Sequence, residues 1–151
     1  MRISSKILLI VLVILSTFSI LVGVNVTYQV QKTISTSNEE KANSDAVLSL
    51  AAVDKEFPGE WRVEGDNLFK GATRVNSNSE IVDYIAKITG GTVSVYLNDV
   101  RVTTNLVKNN KKLIGEKAES SIVKKTLEKG EIYSGKIEFS DKTYQAVYQP
   151  I

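Results

Sequence analysis

At 151 residues the chain has room for one domain and an appendage, since domains cluster near roughly 100–150 residues. A composition of 42% hydrophobic and 24% charged residues excludes wholesale disorder, and the absence of Cys and His removes disulfides, Cys/His zinc sites, thiol nucleophiles and histidine proton transfer. Two of the 19 basic residues, Arg2 and Lys6, precede a charge-free run, and beyond it acidic and basic residues are equal in number, so no basic patch marks a nucleic-acid partner.

That charge-free run, Ile7 to Val24, reaches the roughly 18–20 residues a helix needs to cross about 30 Å of hydrocarbon. A cleaved signal peptide is the competing reading, but its apolar region is usually about 7–15 residues and ends in small residues, which Leu21-Val22-Gly23-Val24 does not match. The expectation is therefore a cytoplasmic tip over 1–6 and a retained transmembrane helix over 7–26. Positive residues stay on the cytoplasmic side, so Arg2 and Lys6 place the rest outside the cell. Asn25-Val26-Thr27 matches a glycosylation sequon, read here as a chance match beside the membrane.

From Asn25 to about Val53 there is neither Pro nor Gly, and Val26, Val30 and Ile34, then Ala42, Ala46, Leu50 and Val53, recur at helical spacing. A long membrane-proximal helix over 27–53 follows, stopped by Phe57-Pro58-Gly59. The segments flanking Gly65-Asp66 read as a first β-hairpin. Ser77 and Glu80 resemble a capping box ahead of a short helix from about Ser79 to Thr89, closed by Gly90-Gly91. A second hairpin, Thr92–Leu97 and Val100–Leu106 around Asn98-Asp99, is expected at the centre of the sheet. After a basic loop from Lys108 to Lys112 come a second short helix, about Ser120 to Lys129, and a third hairpin across Ser140-Asp141-Lys142. The sum is an α+β domain over 54–151 on an antiparallel sheet.

Phe57-Pro58-Gly59-Glu60-Trp61, Leu68-Phe69-Lys70-Gly71, Glu80-Ile81-Val82-Asp83, Thr89-Gly90-Gly91-Thr92-Val93, Arg101-Val102-Thr103-Thr104-Asn105 and Tyr144-Gln145-Ala146-Val147-Tyr148-Gln149-Pro150-Ile151 occur in that order. Together, from about Ala42 to Ile151, they resemble the single-Cache sensor domains of methyl-accepting chemotaxis proteins. The resemblance implies a PAS-like fold with a long N-terminal helix, usually dimeric, that holds a small ligand on one face of the sheet. Members of that family continue through a last strand, a second membrane helix, a HAMP segment and a cytoplasmic coiled coil. The chain is therefore expected to be the front part of a longer bacterial receptor, as a fragment or a truncated product. A histidine kinase, a diguanylate cyclase or a tethered binding module without signalling output are the alternatives.

Side chains alternate along a strand, which puts Arg101, Thr103 and Asn105 on one face and Val102, Thr104 and Leu106 on the other. The planar fork of Arg101 suits a carboxylate, and Thr103 and Asn105 add orienting hydrogen bonds. Citrate and fumarate sensor kinases have a similar basic and hydroxyl motif at this strand. The competing reading leaves Arg101 solvated or paired with a nearby acidic residue. Tyr144 and Tyr148, with Tyr96 opposite, would form an aromatic wall, or else ordinary core. Trp61 reads as an anchor of the first hairpin, and the carboxylate pairs, Glu116 with Glu119 among them, as solvated rather than catalytic. A small carboxylate or amino acid is the expected ligand, with no cofactor and no enzymatic activity.

Overall fold

No proline precedes Pro58, and in the computed structural model helix α1 runs unbroken over Ile3–Glu56. The structure describes Ile3 to Ile151; Met1 and Arg2, and with Arg2 one charge of the basic tip, lie outside the described residues. The chain falls into two units, one reaching Glu40 and the other running from Lys41 to Ile151. In the first, the side chains from Ile7 to Val24 are exposed all round the helix. A window of 18 residues there has a mean hydropathy of 3.0, long and apolar enough to cross a bilayer. Its hydroxyls turn back onto the helix: Ser16 Oγ donates to Val13 O at 2.9 Å and Thr17 Oγ1 to Ile14 O at 2.9 Å. Each such bond removes much of the cost of placing a hydroxyl in hydrocarbon.

Within the second unit α1 ends where Pro58 can no longer donate, its last turn closed by Phe57 N to Val53 O at 2.8 Å. The chain then turns through Gly59 at φ +110° and packs backbone to backbone on Gly71, at φ +55°. A Cβ on Gly71 would lie 2.0 Å from Pro58 O, so the contact admits no side chain there. Strands β1 (Trp61–Glu64) and β2 (Asn67–Lys70) form the first expected hairpin across Gly65-Asp66, and β2 also pairs with β3 (Thr73–Arg74). Lys70 is buried at 4% exposure, its Nζ donating to Asp54 Oδ1 at 2.5 Å and to Gly59 O at 2.6 Å, with the Trp61 ring 5.4 Å away. These contacts fix the turn against the end of α1 and give Trp61 the anchoring place its sequence position suggests.

Helix α2 (Glu80–Thr89) buries Ile81, Val82 and Ile85 at helical spacing and ends in the left-handed Gly90. The capping box expected from Ser77 does not form. Ser79 occupies the cap without a side-chain bond, and Asn78 Oδ1 accepts from Glu80 N at 2.9 Å. Ser77 is instead drawn to β5, its N–H donating to Val102 O at 2.8 Å. Val53 and Phe57 from α1, Leu68, Val75, Ile81, Ile85 and Val102 make one core, with the Phe57 and Tyr84 rings edge to face at 5.8 Å.

The remaining strands close on themselves as hairpins. β4 (Ser94–Leu97) pairs with β5 (Val100–Thr104), with a bulge between Val95 and Tyr96. The basic stretch expected as a loop is a small hairpin of its own, β6 (Val107–Lys108) and β7 (Lys111–Lys112), because Asn109 and Asn110 both adopt positive φ and make the tight turn. The second short helix starts as α3 (Ser120–Val123) and widens into a π-helical turn over Lys124–Glu128 before Gly130. β8 (Tyr133–Phe139) and β9 (Lys142–Tyr148) turn at Ser140-Asp141, both again at positive φ. A single sheet centred on β4–β5 is therefore corrected to several small antiparallel sheets. The outer edge of β5 is taken by the segment after β7: Arg101 N donates to Glu116 O at 2.9 Å and Gly115 N to Arg101 O at 2.8 Å.

Candidate ligand-binding site

Val102 is pinned in the core, so Arg101 beside it points away, and its side chain is 11% exposed. Buried that far, a guanidinium needs partners for its donors, and four of its five N–H groups have them. Nε and Nη2 both donate to the Tyr96 hydroxyl, at 2.9 and 2.6 Å. Nη1 donates to Leu113 O and to Glu116 Oε2, each at 3.1 Å. The reading in which Arg101 pairs with a nearby acidic residue is what the structure places, and the acidic residue is Glu116, expected to be solvated.

Tyr96 brings in the second wall. Its ring centroid is 5.9 Å from that of Tyr148 on β9, and Tyr148 in turn meets Tyr133 edge to face at 6.0 Å. Tyr133 and Tyr148 are directly opposed in the β8–β9 register, followed on the same face by the opposed pair Gly135 and Ala146. The Tyr133 ring leans over that small pair: a Cβ on Gly135 would lie 2.9 Å from the Tyr133 hydroxyl. Burial raises the pKa of the Tyr148 phenol well above its ordinary value; Tyr96 and the negative Glu119 act in the same direction, and Arg101 opposes them. Tyr148 thus keeps its proton where it packs against two further tyrosine rings.

Of the six residues singled out from the sequence, Tyr96, Arg101 and Tyr148 gather in one place. The other three lie elsewhere. Thr103 is fully buried, and its hydroxyl donates to Asn78 O at 2.7 Å, holding β5 to the entry of α2. Asn105 lies past the end of β5, where its Oδ1 accepts from Val93 N at 2.7 Å and its Nδ2 donates to Gly91 O at 3.2 Å. Tyr144 is exposed on the far part of β9, 6.5 Å from Phe139. Strand alternation alone did not identify Glu116, Leu113 or Tyr133. The Tyr133 and Tyr148 pairing follows from the two-residue Ser140-Asp141 turn, where the expected three-residue link Ser140-Asp141-Lys142 would set Tyr133 opposite Gln149, and Glu116 reaches Arg101 by a route no local pattern announces.

The group so formed is a guanidinium held by the Tyr96 hydroxyl, one carboxylate and a backbone carbonyl, with the Tyr148 and Tyr133 rings packed beyond Tyr96. Residues 73–151, just over half of the chain, match the model of the family described as single cache domain 3. The match includes all of these side chains. Neither a curated protein nor a solved structure matches the chain significantly.

Proposed function

This chain belongs to the single Cache domain 3 family, whose domains are extracellular sensor modules that bind small molecules, and on that premise we propose that it is the sensing region of a bacterial transmembrane chemoreceptor. The observation that carries the reading is the presence, on one chain, of a Cache domain and of an apolar helical stretch of membrane length. The chemoreceptor output, over a histidine kinase or a diguanylate cyclase, is supported by the resemblance of the six sequence pieces, in their order, to methyl-accepting chemotaxis proteins. In this reading residues 1–6 are cytoplasmic, 7–26 span the membrane, 27–53 leave it as a helix and 54–151 form a PAS-like sensor that works without catalysis and without a cofactor. Two copies associate through their long helices.

The ligand is a small carboxylate or amino acid held by Arg101, with Tyr96 and Tyr148 shaping the site. Support comes from the clustering of the three side chains and from the geometry of a guanidinium, which offers a carboxylate two parallel N–H donors. Calorimetric titration of the full chain in detergent with a panel of organic acids, amino acids and neutral metabolites tests it. Arg101→Ala is expected to weaken binding of any responding compound about ten- to a hundredfold, and Arg101→Lys to recover only part of the loss. Equal affinity in wild type and Arg101→Ala would place the ligand elsewhere.

A further inference from the structure

Arg101 already holds a carboxylate. Glu116 Oε2 lies 3.1 Å from Nη1, a single-donor contact, while the Glu116 side chain remains 53% exposed. One N–H on Nη2 is the donor left over, and Leu113 O takes the other Nη1 donor. The segment that brings both groups in is tied to its surroundings at each end. Leu113 N donates to Leu106 O at 3.1 Å, Ala118 N to Asp99 O at 2.8 Å, and Lys117 Nζ pairs with Asp99 at 2.8 Å. Between those ties the backbone of Gly115 and Glu116 is laddered onto Arg101 itself. The Glu116 carboxylate is thus presented at the guanidinium on a fixed backbone, by a long side chain with free space around it.

From this arrangement we infer that Glu116 is a resident competitor: an internal carboxylate that occupies the Arg101 fork and that a ligand carboxylate must displace in order to bind. The inference rests on the proposed ligand class and deepens it. A carboxylate that engages two donors outbids the one-donor contact of Glu116, whereas a neutral acceptor does not. The exposed Glu116 side chain can turn to water without leaving a buried charge behind, and the vacated Nη1 donor passes to the ligand beside the unused one on Nη2. Glu116 therefore sets the concentration at which the sensor responds and helps to select anions with two adjacent oxygens.

The test compares wild type, Glu116→Gln and Glu119→Gln as full chains in detergent, titrated calorimetrically with acetate, succinate and an L-amino acid panel, and with the matching primary amides. Glu116→Gln keeps the shape and removes the charge, and it is expected to tighten carboxylate binding about tenfold, with little gain for the amides. Glu119→Gln removes an equal charge that also acts on Tyr148 but makes no bond to Arg101; its effect is expected to stay within about twofold. Carboxylate binding that requires Arg101 yet is unchanged by Glu116→Gln overturns the competitor and leaves the ligand class standing. Equal tightening by both variants reduces the effect to general charge and also overturns it. Absence of carboxylate binding to all three proteins overturns the ligand class and the competitor together.

Discussion

A half-buried tyrosine packed on the ring that caps a guanidinium has a measurable signature. Burial raises the Tyr148 pKa, so in the folded state the phenol keeps its proton beyond the ordinary value near ~10. The stability this provides is full below the unfolded value and declines as pH rises from there through the folded one, because the unfolded chain then sheds a proton that the folded chain still holds. Alkaline titration followed by phenolate absorbance is expected to show at least one of the six tyrosines lagging behind, with Tyr148→Phe removing the lag and flattening the loss of stability above about pH 10. A lag that survives Tyr148→Phe would assign it to another ring. At this scale the sequence was half legible. Arg101, Tyr96 and Tyr148 were readable from strand alternation, since β4, β5 and β9 fall close to where their turns require. Thr103 and Asn105 share the parity of Arg101 but not its surroundings, because the strand ends at Thr104 and the entry to α2 claims the Thr103 hydroxyl. Glu116 looked like one more solvated carboxylate, as only the path of the segment along the edge of β5 brings it to a partner.

Short elements were legible where a turn residue dictates them, and less so where tertiary contact does. Gly90, Asn98 and the Ser140-Asp141 pair carry positive φ at the places where a helix or hairpin was expected to turn. The Asn109-Asn110 turn carries the same chemistry but was hidden in a basic stretch that reads as a loop, and the π-helical turn at Lys124 has no periodic signal. Gly71 is a case set by contact. Alanine at Gly65, at φ +58° with nothing within 4 Å of its Cβ, meets only the left-handed backbone penalty, about 1 kcal/mol. Alanine at Gly71 must also separate two backbones that already touch, since its Cβ would lie 2.0 Å from Pro58 O. Gly71→Ala is therefore expected to cost about 3 kcal/mol, roughly three times Gly65→Ala. The single Trp61 lies on β1, across the β1–β2 hairpin from that turn, so urea unfolding followed by its fluorescence reads both variants. Equal losses would show that the Gly59–Gly71 contact opens freely.

For the whole molecule, the proposed receptor reading requires that occupancy be passed on through the helix that would enter the membrane, and a pair of such helices would convert binding into displacement of one against the other. Val30 and Ile34 lie one turn apart on α1 beyond the proposed span, both exposed, in a stretch where an isolated helix would have no reason to keep them apolar. We read this pair of side chains as the contact between two copies in the proposed dimer. The chain contains no cysteine, so single cysteines placed along α1 report on one position each without a background. In membranes, Val30→Cys and Ile34→Cys are expected to cross-link under mild oxidation into covalent dimers, and Lys32→Cys, about 200° around the helix from Val30, to cross-link several-fold less. Ser37→Cys, beyond the proposed span, is expected to react with an impermeant maleimide added outside intact cells if the proposed orientation, with Arg2 and Lys6 cytoplasmic, holds. Equal cross-linking from all three positions would mean random collision rather than a face, and labelling of Ser37→Cys only after the membrane is broken would reverse the orientation. A carboxylate that binds at Arg101 should then change the ratio of the Val30 and Ile34 products, because a displaced helix brings one pair closer at the expense of the other. An unchanged ratio at saturating ligand would separate binding from transmission through α1.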